Sequence, residues 1–179
     1  MVLAVVAVAG VTGMVKFEFF AGPVSAEPTP AVRDAMAIAA AADSTDGGDA
    51  VQQVRALLQV AGKAEAGHGV TIIRQQLPAL AAQFGRAAPL VHERLLSLDL
   101  KTATGRSCRV ATMRLIALEE WNFRTFTEDV ALNRTSAAAR RFTRRWLALG
   151  RWWAARINSC STGLPPEERA AVARVMVTL

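Results

Sequence analysis

The chain has 179 residues, which suits one domain with a hydrophobic core of its own. Hydrophobic residues make up 52% of it and the mean hydropathy is +0.24, which excludes a chain that is disordered throughout; abundant alanine and absent tyrosine favour helices. The net charge of +6 points to anionic partners such as nucleic acid, anionic lipid or an acidic polymer.

The N-terminal segment has the composition of an export signal. Residues 2–15 are all apolar or small, and this run is too short to span a membrane comfortably. The small residues at 24–26, Val-Ser-Ala, fit a cleavage site, so we expect a signal peptide or N-terminal anchor over 1–26 and a secreted or extracytoplasmic protein. The alternative is a cytoplasmic protein in which residues 4–13 form a buried strand that enters a glycine turn.

The next segment predicts an N-terminal linker over residues 27–49 that carries one short helix. Residues 31–42 are helix-prone, and DSTDGGD at 43–49 has the composition of a loop. A helical bundle domain is then expected over 50–179. Its first helix, over 50–63, repeats apolar residues every three or four positions.

The middle of the chain predicts two further helices. Residues 70–84 favour a helix, or a strand followed by a helix, because VTII at 70–73 is rich in β-branched residues. Pro78 is expected to begin or interrupt this helix, and residues 88–98 predict a separate one. The sequence PPEE at 165–168 indicates the start of the last helix, where proline is tolerated and acids suit the helix dipole.

Two long segments, 107–132 and 136–160, predict an antiparallel helical hairpin. The only cysteines, Cys108 and Cys160, each lie 26 residues from Arg134 in the break between the segments. An antiparallel pair brings both cysteines to its open end. We therefore expect an all-α helical bundle whose hairpin is clamped by one disulfide, in an oxidising compartment. The alternative is two free thiols buried in the core.

Apolar stripes on the two segments agree with this register. On the first segment one helical face carries Cys108, Leu115, Phe123, Phe126 and Val130. On the second segment one face carries Phe142, Trp146, Leu149, Trp153, Ile157 and Cys160. Alignment of the two cysteines places Phe126 beside Phe142 and Leu115 beside Trp153.

Residues 140–156 concentrate arginine and tryptophan and contain no acid. Six side chains off the apolar stripe are the candidate binding residues: Arg140, Arg141, Arg144, Arg145, Arg151 and Trp152. Three of them lie opposite to the stripe: Arg140, Arg144 and Arg151. The other three flank it, where arginines could stack on an indole. The alternative is an ordinary solvated arginine face, with Trp152 covered by another helix.

Glu119 lies within the apolar stripe of the first segment, where a carboxylate is costly unless it is paired. The register places it level with Leu149, which makes Arg145 and Arg156 candidate partners in a buried ion pair. The alternative is a carboxyl with a raised pKa in a cleft, where Arg145 would hold an anionic substrate.

No motif for catalysis, metal or cofactor binding is recognisable. His68 and His92 have no second ligand at helical spacing, and the chain contains no P-loop or hydrolase motif. We therefore predict no metal, no cofactor and no catalytic residue. The favoured function is a small exported protein that binds an anionic surface (lipid or acidic polymer) or a protein partner through 140–156. The alternatives are an intracellular nucleic-acid-binding protein and an all-helical enzyme whose anionic substrate is held by Glu119 and arginines.

Overall fold

The protein is all-helical over the part of the chain that the computed structural model describes, which comprises residues 27–43, 45–63, 68–132 and 135–177. Six helices follow one another in this part of the chain: α1 (Pro30–Ala42), α2 (Thr45–Lys63), α3 (His68–Ser97), α4 (Ala103–Ala131), α5 (Thr135–Cys160) and α6 (Pro166–Met176). The predicted all-α class is confirmed. The predicted signal peptide lies outside the described residues and stays a prediction. None of the described helices is both long and apolar enough to cross a bilayer.

The α4–α5 hairpin follows the predicted register. The two helices pack antiparallel, and a disulfide joins Cys108 to Cys160 at the open end. The rings of Phe126 and Phe142 lie 5.5 Å apart, centroid to centroid, as the alignment of the cysteines requires. Helix α4 begins four residues earlier than predicted because the Thr102 hydroxyl accepts a hydrogen bond from the Gly105 backbone N–H at 2.8 Å and caps it.

Helix α3 is continuous, although two separate elements were expected. Pro78 and Pro89 both lie inside it, and residues 70–73 are helical, so the strand alternative is wrong. The apolar repeat of three and four residues runs unbroken across both prolines, and its side chains are buried: Ile73, Leu77, Leu80, Phe84, Ala88, Val91 and Leu95. Burial of this continuous face outweighs the local cost of two prolines.

Helix α1 belongs to the bundle, although a linker was expected over 27–49. Its buried face, formed by Ala31, Ala35 and Ile38, packs in the common core, and the helix contacts α3, α4 and α6. The residue before it, Thr29, donates a hydrogen bond to Glu168 at the start of α6. Spacing of four and three between the apolar residues is therefore the signature of a core helix rather than of a linker.

An aromatic cluster joins α3 to the hairpin at the centre of the bundle. The Phe123 ring lies 5.0 Å from Phe84, 5.4 Å from Phe142 and 5.8 Å from Trp146, between centroids. At the other end, Trp153 donates its indole N–H to a backbone carbonyl of α6 at 3.2 Å. These contacts fix the inner sides of α4 and α5, so that the remaining side of the hairpin faces outward.

Candidate functional site

An open groove of about 270 Å³ runs along the outward side of the hairpin, between α4 and α5. We call it the α4–α5 groove, and its lining residues are Leu118, Trp121, Arg145, Ala148, Leu149 and Trp152. They recur at helical spacing on the flanks of the two helices, next to the stripes that form the core. Arg145 is the only charged residue in this lining among the described residues.

Arg145 and Trp121 meet across the groove. The guanidinium carbon of Arg145, on α5, lies 4.6 Å from the centroid of the Trp121 ring, on α4. Trp121 remains 44% exposed, so part of its indole faces solvent beside the guanidinium. A cation over an exposed indole is worth roughly 0.5–1 kcal/mol, so this contact orients both side chains more than it stabilises the fold.

Trp152 receives arginines from both helices. The guanidinium carbon of Arg114, on α4, lies 5.9 Å from the centroid of its ring, and that of Arg156, on α5, lies 5.5 Å away. The indole packs against the core and also lines the groove, so it is half-buried rather than fully covered. The arginines over Trp152 are therefore Arg114 and Arg156, and not Arg141 and Arg145, which the sequence placed beside it.

Within the described residues, Arg141 is the one arginine of the predicted set that forms an ion pair, and it lies at the turn end of the hairpin. Arg141 donates from Nη2 to Asp129 Oδ2 at 2.7 Å and from Nε to the same oxygen at 3.2 Å. Both side chains are mostly buried, so Asp129 neutralises this arginine. Arg141 therefore supports the hairpin and is a poor candidate for contact with an external anion.

Three further arginines of the predicted set lie away from the groove. Arg140, Arg144 and Arg151 are exposed on α5, spaced four and seven residues apart, and do not line the groove. No aromatic ring contact involves them among the described residues. The structure thus divides the candidate binding residues into a groove pair (Arg145 and Trp152), an ion-paired residue and an outer stripe.

Sequence reasoning missed the contribution of α4 to this site. Arg114 and Trp121 lie outside the conspicuous segment 140–156, and no local pattern singles them out. The register carried part of the signal nevertheless: the alignment that pairs the two cysteines sets Trp121 level with Leu147, two residues from Arg145. A flank-by-flank comparison of the two helices, beyond their core stripes, would have indicated this level of the hairpin, although the contact itself depends on the packing angle of the helices.

Glu119 lies on the inner side of α4 and only 7% of it is exposed. Burial raises the pKa of this carboxyl to about 8, while the charge of Arg55, on α2, acts in the opposite direction. The predicted ion pair with Arg145 or Arg156 is not formed, because the guanidinium groups of both arginines lie over the indoles of the groove. At neutral pH the carboxyl is therefore mainly protonated.

Asn122 lies one helical turn after Glu119 and is completely buried. Its Nδ2 donates to the Phe142 carbonyl oxygen at 3.5 Å, and its Oδ1 has no hydrogen-bond partner. The buried side of α4 thus holds three polar side chains in the described part of the chain: Thr112, Glu119 and Asn122. The arginines that the enzyme alternative placed beside Glu119 are not there.

The two histidines lie apart from the groove, on α3, with His68 exposed at its first residue and His92 half-buried. Among the described residues, no three His, Cys, Asp or Glu side chains come close enough to hold a metal ion.

Comparison of the chain with protein-family models, with curated proteins and with solved structures finds no match.

Proposed function

We propose that the protein works outside the cytoplasm as a binding protein, without catalysis, and that its α4–α5 groove receives an anionic partner. One observation carries the proposal: arginines from each helix lie over a tryptophan of the opposite helix, along an apolar strip that no acid lines in the described part of the chain. Positive charge and apolar surface therefore share one concave site.

Stacking on an indole favours anion binding by arginine. The guanidinium is planar, and when one face lies on a ring its N–H donors still point outward from the edge. Arg145 is held in this way at the groove, so less side-chain freedom is lost when an anion binds. A matching carboxylate inside the groove would cancel this attraction, and among the described residues no acid lies within ion-pair distance of Arg145.

The proposed location rests on two features. The apolar run and small-residue site within residues 1–26 have the pattern of an export signal. The Cys108–Cys160 disulfide suits an oxidising compartment, since such bonds are rare in the cytosol. Neither feature names a particular compartment.

Two variants of equal charge test the groove against the outer stripe. In the groove variant, Arg114, Arg145 and Arg156 become Gln; in the control variant, Arg140, Arg144 and Arg151 become Gln. We expect the groove variant to lose at least tenfold in affinity for a soluble sulfated polysaccharide or for anionic vesicles, and the control variant to lose much less. Circular dichroism confirms that both variants stay folded.

Equal losses in the two variants would mean that net charge alone drives binding, which contradicts a role for the groove. Absence of binding to any polyanion or anionic vesicle by the unaltered protein would overturn the proposed function.

A further inference from the structure

We infer that the anionic partner of the α4–α5 groove is the surface of a lipid bilayer that contains anionic phospholipid. This inference rests on the proposed function and names the partner of the same site. It is carried by the indoles, by the apolar floor of the groove and by the charge around them.

The two groove tryptophans form a line parallel to the hairpin. The cysteine alignment sets Trp121 level with Leu147, five residues before Trp152 on α5, so the two indoles are separated by about 7.5 Å along the helix. Indole rings partition to the boundary between lipid headgroups and acyl chains, because their apolar body and N–H group suit both sides. Two indoles in line can therefore enter one interface together.

The surface around the indoles is apolar as well. Leu118, Ala148 and Leu149 form the floor of the groove, and Val110, 64% exposed, lies one turn before Arg114 on α4. An apolar strip bordered by arginines is the pattern of helices that lie in the plane of a bilayer. The inner sides of α4 and α5 already pack against α1, α3 and α6, so the hairpin could lie on a bilayer without unfolding.

The indoles suit lipid better than nucleic acid. Proteins that bind single strands offer open aromatic faces on which bases stack. Here Arg145 occupies a face of Trp121, and Trp152 has two arginines over it, so a base would have to displace a guanidinium. A phospholipid headgroup instead adds to the guanidinium edges, while the exposed rim of the indole meets the acyl boundary.

Vesicle binding tests the inference directly. The full chain is mixed with vesicles of phosphatidylcholine alone, or of phosphatidylcholine and phosphatidylglycerol in equal parts, and binding is followed by co-sedimentation and tryptophan fluorescence. We expect binding to the anionic vesicles with a shift of the emission to shorter wavelength. Replacing Arg114, Arg145 and Arg156 by Gln should lower the vesicle affinity about a hundredfold, since each arginine near an anionic surface contributes about fivefold.

A matched pair of apolar variants separates insertion from charge. Trp121→Gln removes an indole of the groove, whereas Leu147→Gln removes a side chain of similar exposure, 53%, that does not line the groove. The first should weaken vesicle binding about tenfold and reduce quenching by lipids brominated in the acyl chain; the second should change neither.

Several results would overturn the lipid partner. Binding to a soluble sulfated polysaccharide but to neither vesicle would exclude a lipid partner and leave the proposed function intact. Tighter binding to a single-stranded oligonucleotide than to vesicles would show that the partner is nucleic acid. Equal binding to both vesicle types, or equal effects of Trp121→Gln and Leu147→Gln, would contradict groove insertion. Binding to no anionic probe at all would overturn the proposed function together with the inference.

Discussion

Two carboxyl groups, Asp34 and Glu119, are almost equally buried, with 5% and 7% of the residue exposed, and they behave in opposite ways. Asp34, on α1, lies at the start of α4, where its carboxylate accepts hydrogen bonds from the Thr102 backbone N–H at 2.8 Å, the Thr102 hydroxyl at 2.6 Å and the Lys101 backbone N–H at 3.1 Å. Glu119 lies in the middle of α4, and the charge that acts on it comes from Arg55 on α2.

The surroundings decide which form of each carboxyl is present. Burial by itself raises the pKa of Asp34, but the hydrogen bonds from Thr102 and Lys101 and the charge of Arg106 outweigh it and lower the pKa below its ordinary value. Burial raises the pKa of Glu119, and the charge of Arg55 reverses only part of that rise. The comparison teaches that donors placed around the carboxyl, and not burial, make a buried acid stabilising.

The largest effect is expected when Asp34 becomes Asn. The amide keeps the shape of the side chain but turns an NH₂ group toward backbone donors, so the variant should lose about 3 kcal/mol of unfolding free energy at pH 7, measured by urea denaturation. The lowered pKa of Asp34 stabilises the fold above pH 3.8, and this contribution is lost as pH falls through the folded pKa. The unfolding free energy of the variant should therefore depend less on pH below pH 4 than that of the wild type. The same dependence on pH in both proteins would contradict a lowered pKa of Asp34.

Replacement of Glu119 by Gln should raise the unfolding free energy at neutral pH, whereas Asp34→Asn lowers it. The raised pKa means that the folded protein binds a proton that the unfolded chain releases above pH 4.5, so wild-type stability falls as pH rises from about 4.5 to about 8. A neutral amide avoids this loss, and the variant should gain on the order of 2 kcal/mol at pH 7. Unfolding titrations at pH 5 and pH 8 check this: the advantage should be small at the first pH and largest at the second.

A destabilised Glu119→Gln variant at both pH values would instead mean that Glu119 is ionised and paired. Glu119→Asp serves as the control, since it keeps an acid at the site and should retain the dependence of stability on pH.

The sequence predicted the hairpin and its register because that information is local and periodic. Steps of three and four residues define the stripes on α4 and α5, and the symmetric positions of Cys108 and Cys160 fix the alignment. The partner of Glu119 was predicted wrongly because the register gives the level along the helix and not the direction around it. Arg145 and Arg156 instead lie over the groove tryptophans, while the opposing charge that acts on Glu119 is that of Arg55 on α2.

The position of α1 could not be predicted for a different reason. Asp34 binds Lys101 and Thr102, which are 67 and 68 residues away in sequence, and nothing in the pattern around any of the three signals the contact. The α4–α5 groove has the same character, since Trp121 and Arg145 belong to different helices. Contacts between helix flanks depend on the packing angle of the helices, which periodicity does not encode.

The smallest expected effect tests how closely α1 approaches the start of α4. A Cβ atom at Gly105 would lie 2.3 Å from Asp34 Oδ2, so Gly105→Ala must displace the carboxylate from its donors and should cost between about 1 and 2 kcal/mol of unfolding free energy. Gly150, in the middle of α5, has open space around its Cβ position, so Gly150→Ala should gain about 0.5–1 kcal/mol from helix propensity. Thermal unfolding of the two variants measures the difference. If Gly105→Ala were as stable as Gly150→Ala, the Asp34 carboxylate could not lie against the N-terminus of α4. Asp34 would then not stabilise the fold, and its contrast with Glu119 would fail.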